Sequence, residues 1–159
     1  MNIAVKVAPV RKVVKVNASA EVAFDVFTAG MTRWWPPTHS INPTKSKLKE
    51  TVMEPRAGGR WYEKGEDGSQ CDWGKVLAWE PPTRLLLAWQ IDAQWRYDPK
   101  LVTEVEVRFT PEGASVTRVE LEHRNIERFG DSAEAVRNAI DSEGGWGALL
   151  ESFAKEAAS

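Results

Sequence analysis

The chain contains one cysteine, Cys71, two histidines and two tyrosines among its 159 residues. A lone cysteine cannot close an intramolecular disulfide, and no CxxC or HxxxH spacing occurs, so neither a disulfide framework nor a structural zinc site is expected. No uninterrupted run of about 18 apolar residues is present to form a membrane-spanning helix. Neither sign of charge dominates: 21 Lys plus Arg stand against 23 Asp plus Glu, for a net charge of -2. That balance offers no long-range attraction to a polyanion and argues against a nucleic-acid partner. Residues 1–10 lack the apolar stretch and small-residue cleavage site of a signal peptide. These absences predict a cytoplasmic protein with one domain over residues 1–159, in which 1–9 form an N-terminal extension before the first strand.

What the chain has in excess is tryptophan: eight, at positions 34, 35, 61, 73, 79, 89, 95 and 146, against five phenylalanines. Indole is bulky and costly to leave in water, and its N–H needs an acceptor when buried. Eight indoles in a small domain therefore suit a heavily built core or the wall of a ligand cavity.

Val10 to Val16 is β-branched and bounded by Asn17 and Ser19, which predicts a strand. Ser19 then sits as an N-cap before Glu21, with Val22, Ala23, Val26 and Phe27 at helical spacing. Gly30 interrupts that helix, and Trp34-Trp35 runs into Pro36-Pro37, so residues 30–47 read as a short helical turn followed by a loop. Strand signals follow at about 48–54, 59–64, 71–80, 83–91, 103–110 and 115–124, separated by Gly and Pro turns. In the sixth strand Val105, Val107 and Phe109 alternate with Glu104, Glu106 and Arg108; in the seventh, Val119, Leu121 and His123 alternate with Glu120, Glu122 and Arg124. One face of these strands is apolar and the other wet. The fifth strand, Leu85 to Trp89, is apolar on both faces, which predicts a cover for its outer side from a loop or a second subunit. Beyond Asn125, Ala133, Val136 and Ile140 recur at helical spacing until Gly144-Gly145. Trp146, Leu149, Leu150, Phe153 and Ala157 then form the apolar stripe of a core-facing C-terminal helix.

The chain resembles the activator of heat-shock-protein-90 ATPase homologue (AHSA1-like) family, a branch of the START-like (SRPBCC) superfamily. The residues that carry the resemblance begin with Val16-Asn17-Ala18-Ser19-Ala20-Glu21-Val22-Ala23-Phe24 and with Trp34-Trp35 before the prolines. They continue in Glu54-Pro55-Arg56-Ala57-Gly58-Gly59-Arg60-Trp61, in Trp73 to Leu85 with Trp89, and in Gly145-Trp146 ahead of Leu149-Leu150. The resemblance implies the α+β helix-grip fold, a curved antiparallel sheet of about seven strands wrapped on a long C-terminal helix, with two short helices after strand one. It also implies a deep cavity between sheet and helix.

The cavity residues nominated on this basis are Trp34 and Trp35 from the lid, Trp61, Trp89 and Trp95, then Phe109, Thr117, Leu121 and His123, and Trp146 with Leu150 from the terminal helix. His123 lies on the apolar parity of its strand and is the one candidate for acid–base chemistry. His39, between Thr38 and Ser40 in a Pro-bounded loop, reads as a solvated loop histidine, with gating of the cavity mouth as the lesser alternative, and Cys71 reads as a small buried residue without a catalytic partner. The Glu104, Glu106, Glu120 and Glu122 cluster reads as a solvated face paired with arginines. Gly58-Gly59 lacks the GxxxxGK pattern of a phosphate loop and reads as a turn. No catalytic set, metal site or cofactor motif emerges. The expected function is to bind or carry a small hydrophobic or amphipathic molecule. The first alternative is an enzyme of the cyclase or hydrolase type, which the resemblance implies in the same cavity. The second is a chaperone ATPase regulator, disfavoured because that activity normally involves an additional N-terminal domain. The surplus indoles and the doubly apolar fifth strand favour a homodimer.

Overall fold

The computed structural model describes residues 7–142 and 144–159, so the N-terminal extension expected at 1–9 is described from residue 7 onward. Strand β1 (Val10–Val16) is followed by helix α1 (Ala20–Phe27), then β2 (Leu48–Met53), β3 (Arg60–Gly65), β4 (Gln70–Glu80), β5 (Arg84–Trp89), β6 (Thr103–Gly113) and β7 (Val116–Arg124). Helices α2 (Ala133–Asp141) and α3 (Trp146–Ala158) complete the chain. All seven strands join one antiparallel sheet in the order β1-β7-β6-β5-β4-β3-β2, curled around α3 in the α+β helix-grip arrangement. Hairpins link β2 through β7. The stretch between β1 and β2 carries α1 and two 3-10 turns, Met31–Arg33 and Pro37–His39.

Local chemistry accounts for these boundaries. The Ser19 side chain accepts a hydrogen bond from Val22 N at 3.2 Å and caps α1. That helix buries Ala20, Ala23, Phe24 and Phe27 and leaves Val22 exposed, rotating its apolar face by one residue from the expected one. Strand β5 ends at Trp89, short of the expected 91, and Ile91 instead bridges Tyr97 across a small loop. Strand β6 runs on through Pro111, where β7 is its sole neighbour, so the missing proline N–H costs no ladder bond. Arg137 on α2 donates to the Ala8 and Pro9 carbonyls, at 2.7 and 3.3 Å, and ties the chain before β1 to the body.

Two bulges in β4 decide which indoles face inward. Trp61 pairs with Gly74 and Tyr62 with Asp72, leaving Trp73 as an extra residue; Val76 pairs with Leu87 and Ala78 with Leu86, leaving Leu77 as another. Each bulge flips the alternation of side chains. After two flips Trp73 and Trp79 both reach the core side, whereas Leu77 is 40% exposed. Gly74 lies at the first bulge, where a Cβ would sit 1.7 Å from the Ala88 carbonyl oxygen.

On the outer face of β5, Ala88 is buried and Leu86 partly so. Beside them an ion network joins Glu106 to Arg84 at 2.5 Å, Arg124 at 2.9 Å and Arg108 at 3.1 Å. Burial works to raise the Glu106 pKa, but the Arg84 and Arg124 donors outweigh it and hold the carboxyl below its ordinary range. Glu104, Glu106, Glu120 and Glu122 thus pair with arginines, as expected of a solvated face.

Gly74→Ala is expected to destabilise the fold by about 3 kcal/mol or more, because the clash is with backbone in the sheet centre. Gly113→Ala, where a Cβ meets nothing within 4 Å, serves as the control in urea unfolding and is expected to lie within about 0.5 kcal/mol of the parent.

Candidate functional site

A cavity of about 480 Å³ opens between the sheet, the Pro36–Ile41 segment and the junction of α2 with α3. Its indole walls come from Trp35, Trp73, Trp89, Trp95 and Trp146, and aliphatic side chains such as Ile41, Ile91, Ile140 and Leu149 fill the spaces between them. Four of the indoles are at most 5% exposed and form the deep wall, whereas Trp95 is 46% exposed and stands at the mouth. Trp95 also has φ of +60°, a left-handed conformation that is unfavourable for a bulky residue. Its loop is stiffened by Asp92, whose carboxylate accepts from the backbone N–H groups of Gln94 and Arg96 at 2.9 and 3.0 Å.

Edge-to-face and tilted contacts run without a break through the deep indoles. Trp35 meets Trp73 at 5.0 Å between ring centroids, Trp73 meets Trp61 at 5.4 Å, Trp61 meets Trp89 at 5.8 Å and Trp89 meets Trp146 at 5.7 Å. Two buried polar groups orient this wall. The Trp146 N–H donates to His123 Nδ1 at 3.1 Å, so that nitrogen carries no proton; Nε2–H then donates to Thr103 Oγ1 at 2.8 Å. Thr103 passes its own hydrogen to the Trp89 carbonyl at 3.1 Å. Burial drives the His123 pKa down to about 3, which keeps the ring in this neutral tautomer. On the opposite wall the fully buried Glu63 accepts from Trp73 Nε1 at 3.0 Å, Ile41 N at 2.7 Å and Ser40 Oγ at 2.5 Å. One carboxylate thereby fixes an indole of β4 and the loop that borders the mouth.

The α2–α3 junction needs glycine at 145, because a Cβ there would come within 2.1 Å of the Ile140 carbonyl oxygen. This close crossing brings the Gly144 carbonyl to the rim, where it receives His39 Nε2 at 2.9 Å. A carbonyl can only accept, so Nε2 carries the proton. His39 Nδ1 is left with Thr38 Oγ1 at 3.4 Å.

Of the nominated residues, Trp35, Trp89, Trp95 and Trp146 border the cavity. The others lie in packed core. Trp34 donates to the Val26 carbonyl at 2.8 Å and packs on Phe27 and Phe153. Trp61 is fully buried behind Trp73 and Trp89, and Phe109 packs between Phe24 and Phe27. Thr117 spends its hydroxyl on the Ala18 carbonyl at 2.8 Å, and Leu121 and Leu150 are at most 2% exposed. His123 is 0% exposed with both ring nitrogens engaged, so it supports the wall from behind and does not present a free imidazole to a ligand. His39, expected as a solvated loop residue with a place at the mouth as the lesser alternative, stands on the rim. Sequence reasoning passed over Glu63, whose charged side chain between Tyr62 and Lys64 carried no signal of its buried role. Cys71 is buried and its thiol pKa is pushed up to about 11, chiefly by burial, as suits an inert residue.

The family model for activator of Hsp90 ATPase homolog 1-like protein matches residues 17–158. The chain belongs to this family. Among solved structures, the anthrahydroquino-gamma-pyrone synthase Txn09, complexed with SUM, is 40% identical, with 94% of this chain and 97% of that chain covered and a TM-score of 0.66. The self-sacrificing resistance protein CalC from Micromonospora echinospora is 31% identical over 94% of each chain, with a TM-score of 0.68. The Aha1 dimer from Colwellia psychrerythraea shares the fold at 15% identity, with 96% of this chain and 97% of that chain covered and a TM-score of 0.62. No match is found among curated proteins. Among the described residues of this AHSA1-like chain, no helix is long and apolar enough to cross a membrane.

The buried His123 carries a pH signature. Unfolded, its ring titrates near the ordinary value of about 6.5; folded, it resists protonation down to about 3. Below the unfolded value the unfolded chain takes up a proton that the native chain excludes. This stability is therefore present above about pH 6.5 and is lost as pH falls toward 3. Its contribution is expected to fall by about 2 kcal/mol between pH 7 and 5 in urea unfolding, and His123→Gln is expected to remove that loss.

Proposed function

We propose that this protein binds a flat, polycyclic aromatic molecule with polar substituents in the indole-walled cavity. The observation that carries the reading is the wall itself: five indoles border one space of about 480 Å³, within the usual range for small-molecule sites. Planar, rigid indoles favour a planar guest, which they can meet face to edge or by offset stacking. Polar groups gather at the rim, in Thr38, His39, Ser40 and Ser142, so an apolar ring would lie deep with its polar substituents toward the mouth.

The likeness to Txn09 supports the same ligand class, since its name denotes a synthase of a fused aromatic pyrone, and it favours turnover as the second reading. CalC, named a self-sacrificing resistance protein, shows that a 31% identical relative carries a role other than synthesis on the same fold. A chaperone-regulating role draws on the family description alone.

Titration with 1,8-dihydroxyanthraquinone is expected to quench tryptophan fluorescence and to stabilise the protein by about 2.7 kcal/mol at 100 times the dissociation constant. Trp95→Asn is expected to weaken that binding about three- to tenfold, the worth of one aromatic contact. Asn tolerates a positive φ and Trp95 is half exposed, so stability is expected to stay within about 0.5 kcal/mol of the parent. Unchanged fluorescence and melting temperature with this probe would count against the cavity reading.

A further inference from the structure

Among the described residues that border the cavity, His39 is the single titratable side chain. The other lining groups are apolar carbon, indole N–H, hydroxyl or backbone. The Gly144 carbonyl, 2.9 Å from Nε2, selects the tautomer that leaves a lone pair on Nδ1. The ring is also braced against Trp35, with 6.2 Å between centroids and 78° between planes. The hydroxyls of Ser40 and Ser142 are already donated, to Glu63 at 2.5 Å and to the Ala139 carbonyl at 2.6 Å. Thr38, whose hydroxyl lies 3.4 Å from Nδ1, is the remaining side-chain hydroxyl among the described lining residues. A basic nitrogen and a hydroxyl whose own bond to it is long, at 3.4 Å, thus stand side by side at the mouth, where substituents of a deeply held ring would project.

We infer that His39 is a general base that removes a proton from an enolisable carbon beside a carbonyl on an aromatic ligand, with Thr38 donating to the carbonyl oxygen. This rests on the proposed binding of a polycyclic aromatic in the cavity and assigns the chemistry of its mouth. In the step, the C–H bond breaks and its proton moves to Nδ1. The electron pair enters the carbonyl to form an enolate, which accepts the Thr38 hydrogen bond. Reversal returns a proton from the imidazolium to carbon, so no oxidant or co-reactant is required. Such a base typically contributes about 10² to 10⁴ in rate.

The test uses 2-acetylanthraquinone, a flat tricycle with one enolisable methyl ketone, in D₂O. Loss of the methyl proton signal measures enolisation, and tryptophan quenching measures binding. The intact protein is expected to accelerate exchange over an equal concentration of free imidazole. His39→Gln, which keeps a donor for the Gly144 carbonyl, is expected to slow exchange about 100-fold or more while affinity falls by far less. Added imidazole is expected to restore part of the exchange in His39→Ala, and melting temperatures confirm that both variants fold. Binding without accelerated exchange, or exchange in His39→Gln equal to that of the parent, would overturn the assignment and leave the cavity reading standing. Absence of binding would overturn both.

Discussion

Two buried polar groups without a charged partner hold the aromatic wall in place, and the rest of the site depends on them. His123 links the first residue of α3 to β6 and β5 through one proton-ordered chain, from the Trp146 N–H to the Trp89 carbonyl. Glu63 does the same on the other side, binding the Trp73 indole, the Ser40 hydroxyl and the Ile41 backbone N–H to one carboxylate. Burying such groups is costly unless each is hydrogen-bonded, and here the bonds also fix where the Trp146 and Trp73 rings stand. An apolar replacement could fill the same volume but would leave the Trp146 and Trp73 N–H groups free to turn. Polar satisfaction is incomplete elsewhere: the buried Trp35 and Trp61 N–H groups find no acceptor among the described residues, at a cost of about 1–3 kcal/mol each. The ring contacts that position those two indoles offset that cost.

The aromatic chain divides the molecule's interior into two functional parts. One end, built from Phe24, Phe27, Phe109, Trp34 and Phe153, is solid core between α1, the sheet and α3. At the other end, from Trp35 through Trp146, the same kind of contact borders open space. The change comes where Gly145 lets α2 and α3 meet closely and where the Pro36–Ile41 segment, held to the sheet by Glu63, borders the mouth. Packed core thus lies at one end of the aromatic chain and an indole cup at the other.

Much of this was legible in the sequence. The strand limits of β1 and β7, the cap at Ser19 and the stripe of α3 follow from patterning that burial enforces. A deep cavity was expected from the family resemblance, whereas the eight tryptophans by themselves left packed core and cavity wall open. Which indoles would border the cavity was not legible. The two bulges in β4 shift parity at Trp73 and Leu77, and a bulge is decided by pairing across strands, which local spacing does not encode. His123 sat on the correct face of β7, but the acceptors and donors that occupy it come from β6 and α3, distant in the chain. His39 gained its position from a contact with Gly144, 105 residues away. Glu63 was hidden for the same reason: its three donors come from two other segments, and nothing in β3 alone marks it as buried.

The central claim is that particular indoles, held by His123 and Glu63, form the surface a planar aromatic guest touches. A two-dimensional ¹H–¹⁵N spectrum of the eight indole N–H groups, recorded through a titration with 1,8-dihydroxyanthraquinone, tests it most directly. The account expects the resonances of Trp35, Trp73, Trp89, Trp95 and Trp146 to move together, while those of Trp34 and Trp79 stay in place. Movement confined to Trp34 and Trp79, or no movement at saturating probe, would contradict it.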